Sequence, residues 1–169
     1  MQLGRLIRHA AATHWRTRMR FPSGTLDAIE QAIGRAELLH SGEIRFAVET
    51  ALTPWQILQK VTPRARALEV FSALRVWDTE GNNGVLIYVG LADRTVQIIA
   101  DRGVAGRVSQ SEWDAVCQQM EAHFRAGRFR EGSVAGIEAV GALLAAHFPA
   151  GSSLASSARN ELPDRPSLL

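Results

Sequence analysis

The chain has 169 residues, of which 46% are hydrophobic and 21% are charged, and these proportions are typical of one globular domain. Its single cysteine, Cys117, excludes an internal disulfide framework and suits a reducing compartment. The sequence contains neither the roughly 20 apolar residues of a membrane span nor the apolar core of a secretory signal. We therefore expect a cytoplasmic protein, which can be peripheral to the inner membrane.

The formal net charge of +2 is unevenly distributed along the chain. Residues 1–22 form a predicted amphipathic helix with several arginines and no acidic residue, and the remainder is mildly acidic. Such a basic segment can contact phosphate groups of an anionic membrane, or it can be a solvated helix face. The acidic remainder argues against a nucleic-acid partner. The arginines predicted to contact phosphate are Arg5, Arg8, Arg16, Arg18 and Arg20.

Apolar residues recur at helical spacing in four later segments, which predicts four further helices. The capping residues Ser23, Thr62 and Ser109 precede three of them. The last helix contains three glycines, which predicts that it packs tightly against the sheet. The predicted helices span residues 24–40, 63–75, 110–126 and 131–147.

Three short segments predict strands. Apolar residues alternate with polar or small ones in Glu43–Glu49, so one face of this strand is expected to be buried. The nearly continuous apolar run Val85–Leu91 predicts a central strand. The short connection Ala92–Arg94 joins it to a third strand around Ile98, and these two strands form a predicted hairpin.

These elements place one domain at residues 23–149. The remaining residues, 150–169, are rich in serine, alanine and proline and carry few apolar side chains. Because such a segment cannot bury enough apolar surface to order itself, it is predicted to be a disordered tail.

The order of the predicted elements, together with the segments Gly42–Glu49, Asn82–Val89 and Asp93–Gly103, resembles the TPM domain family. The similarity covers about residues 24–148. It implies an α/β fold in which a small mixed central β-sheet is sandwiched between α-helices. Members of the family have been described as weakly active, phosphatase-like proteins, and some bind calcium through acidic loop residues.

Polar residues converge at one end of this sheet if the first two strands are parallel and the hairpin is antiparallel. Carboxylate and amide oxygens around one point are what calcium requires, so calcium is the expected cofactor. The same residues could also be ordinary turn and capping residues. The predicted metal ligands are Glu43, Asp78, Asn82, Asn83 and Asp101, with Glu80 in the adjoining loop.

A second candidate cluster lies at the opposite end of the sheet and consists of Glu49, Asp93 and Arg94.

We expect a non-enzymatic or weakly active binding domain that acts with another protein, one that is associated with a membrane. The alternative is a metal-dependent phosphomonoesterase, in which Arg94 or Arg102 would hold the phosphate.

Overall fold

The computed structural model describes residues 2–150 and 160–169 of the chain. Within this part of the chain, one mixed sheet forms the centre of the fold. Its strands are β1 (Glu43–Glu49), β2 (Gly84–Gly90), β3 (Thr95–Ala100) and β4 (Ser167–Leu168). The spatial order is β3-β2-β1-β4, with β1 parallel to both β2 and β4, and β3 antiparallel to β2. The predicted small mixed sheet is therefore confirmed.

The described residues also form eight helices. Thr53, Thr62 and Ser109 cap three of them by accepting a hydrogen bond from a backbone amide in the first turn. None of the helices in the described ranges is long and apolar enough to cross a membrane. The helices are α1 (Gln2–Ala11), α2 (His14–Arg20), α3 (Ser23–Glu37), α4 (Pro54–Leu58), α5 (Pro63–Ala73), α6 (Arg102–Ala105), α7 (Gln110–Arg125) and α8 (Phe129–His147).

Helices cover both faces of the sheet, as the α/β sandwich prediction requires. Alternate residues of β1, such as Ile44 and Phe46, join the larger hydrophobic core with residues of α3, α7 and α8. The opposite face of the sheet, including Leu86 and Tyr88, packs against α5. The side-chain alternation of a strand thus assigns each residue to one of two cores.

The three glycines of α8 differ from their prediction, because they pack against helices and not against the sheet. A side chain on Gly132 would meet His123 and Phe124 of α7, and one on Gly136 would meet Met120. Gly141 lies against Ala36 of α3. The close approach that these glycines permit therefore holds α8 between two other helices.

The two terminal segments also differ from their predictions. The basic segment forms two helices, α1 and α2, instead of one. For residues 160–169 the prediction of a disordered tail is wrong, since Leu162 is buried in the core beside α5 and β4 pairs with β1. The guanidinium group of Arg45 contributes to this order, because it donates hydrogen bonds to the carbonyl oxygens of Pro163 and Arg165. Residues 151–159 lie outside the described part of the chain.

Candidate functional site

The predicted metal ligands lie where β1 and β2 begin. The turn before β2 contacts the segment after β3 through two backbone hydrogen bonds: Gly103 N donates to Asn82 O at 2.9 Å, and Asp101 N donates to Gly84 O at 2.9 Å. Asn82 has a φ of 49°, in the left-handed region that asparagine tolerates. The structure therefore brings Asn82, Asn83 and Asp101 together.

Two oxygen atoms of this group are buried without a hydrogen-bond donor among the described residues, namely Asn83 Oδ1 and Asp101 Oδ2. The side-chain nitrogen of Asn83 donates to Ser41 O, which fixes the orientation of the amide and leaves Oδ1 as the free acceptor. The other oxygen of Asp101, Oδ1, accepts from Arg102 N at 2.7 Å. A buried acceptor without a donor lowers the stability of the fold, because its desolvation is not compensated, and it therefore suggests a missing partner.

The other predicted ligands contribute less to this group. Glu43 directs its carboxylate to the C-terminal segment, where Oε2 accepts from Leu162 N at 3.2 Å, and burial raises its pKa. Asp78 and Glu80 are exposed on the turn. Within residues 2–150 and 160–169, no three His, Cys, Asp or Glu side chains cluster in a way that could hold a metal ion. A cation here would rely on amide and carbonyl oxygens beside Asp101.

The structure does not pair the members of the second predicted cluster. Glu49 accepts hydrogen bonds from Arg66, at 2.8 Å from Nη2, and from the hydroxyl of Tyr88. Asp93 is 2.7 Å from Arg5 Nη2 and 3.0 Å from His9 Nε2. Burial alone would raise the pKa of Asp93, but the hydrogen bonds from Arg5 and His9 hold it below its usual value.

A pocket that the sequence did not identify lies at the end of the sheet where β1 and β2 finish. It has a volume of about 430 Å³ and is bordered by α1, α2, the start of β3, and the junction of α7 and α8. Its walls include Leu91, Phe124 and Phe129. Arginines from three helices and from the turn between β2 and β3 also line it, and their separation in sequence explains why no local pattern revealed the pocket. They are Arg8, Arg16, Arg20, Arg94 and Arg125.

The chain is similar to a known protein family and to a protein of known structure. A family model, the TPM domain, matches residues 20–143. The solved NMR structure of the BA42 protein from the psychrophilic bacterium Bizionia argentinensis is 34% identical, with a TM-score of 0.70. That match covers 87% of this chain and 94% of BA42. No curated protein matches significantly.

Proposed function

The chain belongs to the TPM domain family, and we propose that it is a binding domain that holds a calcium ion where β1 and β2 begin. The observation that carries this proposal is the pair of buried, unpaired acceptors, Asn83 Oδ1 and Asp101 Oδ2. The carbonyl oxygens of Gly81 and Asn82 face the same segment, because they are the nearest atoms to a side chain built on Gly103. These four oxygens are the hard ligands that calcium takes in proteins.

The proposed site is a weak one. Calcium is usually bound by six to eight oxygens, and affinity falls as the number of charged ligands decreases. Asp101 is the one carboxylate with a free buried oxygen in the described residues of this site, so water would complete the coordination. We therefore expect a dissociation constant of about 1 mM, as in weak calcium modules. When bound, the ion would supply positive charge that joins the turn before β2 to Asp101.

Calcium titration of the purified protein tests this proposal. At about 10 mM calcium, a dissociation constant near 1 mM would stabilise the folded state by about 1.4 kcal/mol, so the melting temperature should rise. Asp101→Asn keeps the oxygen that accepts from Arg102 but removes the charge, and it should abolish the shift. Asp114→Asn, on the surface of α7, is the matched control. An unchanged melting temperature of the wild-type protein in calcium would contradict the proposal.

We also propose that the domain acts with a partner at an anionic membrane surface. Helices α1, α2 and α4 expose large apolar side chains, including Ile7 at 59%, Trp15 at 68% and Trp55 at 66%. Exposed arginines such as Arg8 and Arg18 lie on α1 and α2. Aromatic and apolar side chains beside basic ones favour binding to the interface of an anionic bilayer. The phosphatase alternative stays a prediction.

Vesicle co-sedimentation tests the membrane proposal. Trp15→Ser/Met19→Ser removes two large apolar side chains that are neighbours on one face of α2 and should weaken binding to anionic vesicles roughly tenfold. The matched control is Leu38→Ser/Leu39→Ser, which alters two exposed leucines at the end of α3. Equal binding by the two double variants would count against a membrane-facing role of α2.

A further inference from the structure

The arginine-lined pocket differs in position and chemistry from the proposed calcium site. It lies where β1 and β2 end and β3 begins, and its floor includes Thr50, Gly90 and Thr95. Ligands of α/β proteins commonly bind beyond the carboxyl ends of parallel strands. A volume of about 430 Å³ is large enough for a small organic ligand.

The pocket has a strong excess of positive charge. Among the described residues that line it, Glu121 is the one carboxylate beside five arginines. Glu121 is already engaged, since its Oε1 accepts from Val96 N at 3.0 Å and its Oε2 lies 3.8 Å from Arg125. No ion pair forms between Arg8, Arg16 or Arg94 and any described acidic residue. These guanidinium groups are therefore available to an anionic ligand.

Asp93, the acidic neighbour of Arg94 in sequence, does not neutralise this charge because other residues hold it. Arg5 forms a two-point contact with its carboxylate, at 2.9 and 2.7 Å. His9 Nδ1 accepts from Leu52 N at 2.9 Å, so Nε2 carries the proton and donates to Asp93. This partly buried network joins α1 to the hairpin turn, and it thereby holds Arg8 and Arg94 on the same pocket.

The walls of the pocket are partly apolar, which favours a ligand that carries an apolar group. Phe124 and Phe129 stack with ring centroids 5.2 Å apart, and the guanidinium carbon of Arg20 lies 5.3 Å from the centroid of Phe129. Leu91 and Ala92 continue this apolar surface. A simple inorganic anion would contact the arginines but leave this surface unused.

We propose that this pocket binds an organic phosphate monoester, with the phosphate on the arginines and the apolar body against the phenylalanines. The guanidinium group can donate two parallel hydrogen bonds to phosphate oxygens, which makes arginine well suited to this dianion. The monoester can come from a soluble metabolite or from the headgroup of a phosphatidic acid lipid, since both present the same phosphate group.

Titration calorimetry with phenyl phosphate in calcium-free buffer tests the proposal separately from the calcium site. Phenyl phosphate should bind saturably, about tenfold more tightly than inorganic phosphate, because only phenyl phosphate also covers the aromatic wall. Arg94→Gln and Arg16→Gln should each weaken its binding about tenfold or more, through the loss of charge-assisted hydrogen bonds. Arg18→Gln is the matched control, because Arg18 lies on α2 but does not line the pocket.

Circular dichroism should show that all three variants are folded. Equal affinity of Arg94→Gln and Arg18→Gln would overturn the proposal, as would the absence of saturable binding by the wild-type protein.

Vesicles that contain phosphatidic acid distinguish the two sources of the ligand. Binding to these vesicles that phenyl phosphate displaces would assign the pocket to the lipid headgroup. Binding of phenyl phosphate without binding to the vesicles would assign it to a soluble ester.

Discussion

At the scale of single residues, the carboxyl group of Glu37 has a strongly raised pKa. It lies at the end of α3, where its Oε1 accepts from Ile44 N at 2.7 Å. Burial, together with the nearby carboxylates of Glu43 and Asp164, raises the pKa of Glu37 to about 8 despite this hydrogen bond. The folded protein therefore keeps a proton on Glu37 at pH values where the unfolded chain has released it.

This proton makes stability depend on pH with a definite sign. In the unfolded chain Glu37 titrates near 4.5, so between about pH 5 and pH 8 the folded state binds the extra proton. The free energy of unfolding should then fall as the pH rises, by up to about 1.4 kcal/mol per pH unit. Glu37→Gln keeps an oxygen for Ile44 and should flatten this slope, measured by urea denaturation. Glu138→Gln, exposed on α8, is the control, and identical slopes in the two variants would refute the assignment.

At the scale of elements, the contact between α7 and α8 depends on the absence of a side chain at Gly132. An added Cβ would lie 2.6 Å from His123 Cβ and 2.9 Å from Phe124 Cε1. The Cβ of His123 is fixed to the backbone of α7, so rotation of the side chain cannot relieve the overlap. The two helices would have to separate, although Phe124 belongs to the aromatic group that packs on Phe21.

Gly132→Ala should therefore destabilise the protein. Overpacking costs about 1–3 kcal/mol, and the better helix propensity of alanine offsets up to about 1 kcal/mol of that. Gly24→Ala, in the first turn of α3, meets no atom within 4 Å and should be neutral or slightly stabilising. Chemical denaturation of both variants measures the difference. A stability of Gly132→Ala equal to that of Gly24→Ala would show that the contact between α7 and α8 accommodates an added methyl group.

At the scale of the whole molecule, the parts of the fold with a short-range signal were predictable. The alternation in Glu43–Glu49 and the apolar run after Gly84 indicated the strands, and the connection at Asp93 indicated the hairpin. The same patterns placed Asn83 and Asp101 at one end of the sheet, since a parallel and an antiparallel pairing determine which strand ends meet.

The unpredicted parts depend on residues that are far apart in the chain. Arg5 and His9 contact Asp93 although they are 88 and 84 positions away in the sequence, and a local sequence pattern cannot indicate such a contact. The pocket arginines are separated in the same way. The prediction for residues 160–169 was wrong because their composition suggests disorder, whereas contacts with distant residues such as Arg45 on β1 order them.

The late position of β4 in the chain has a consequence for chain entropy. Arg45 of β1 and Ser167 of β4 are 122 residues apart, whereas Glu49 of β1 and Tyr88 of β2 are 39 apart. Closing the roughly threefold longer loop costs about 1 kcal/mol more. The pairing of β4 with β1 offsets this entropy cost with a ladder of only two residue pairs. We therefore expect the pairing of β4 with β1 to be the least stable part of the sheet, so that local opening of the sheet begins at this edge.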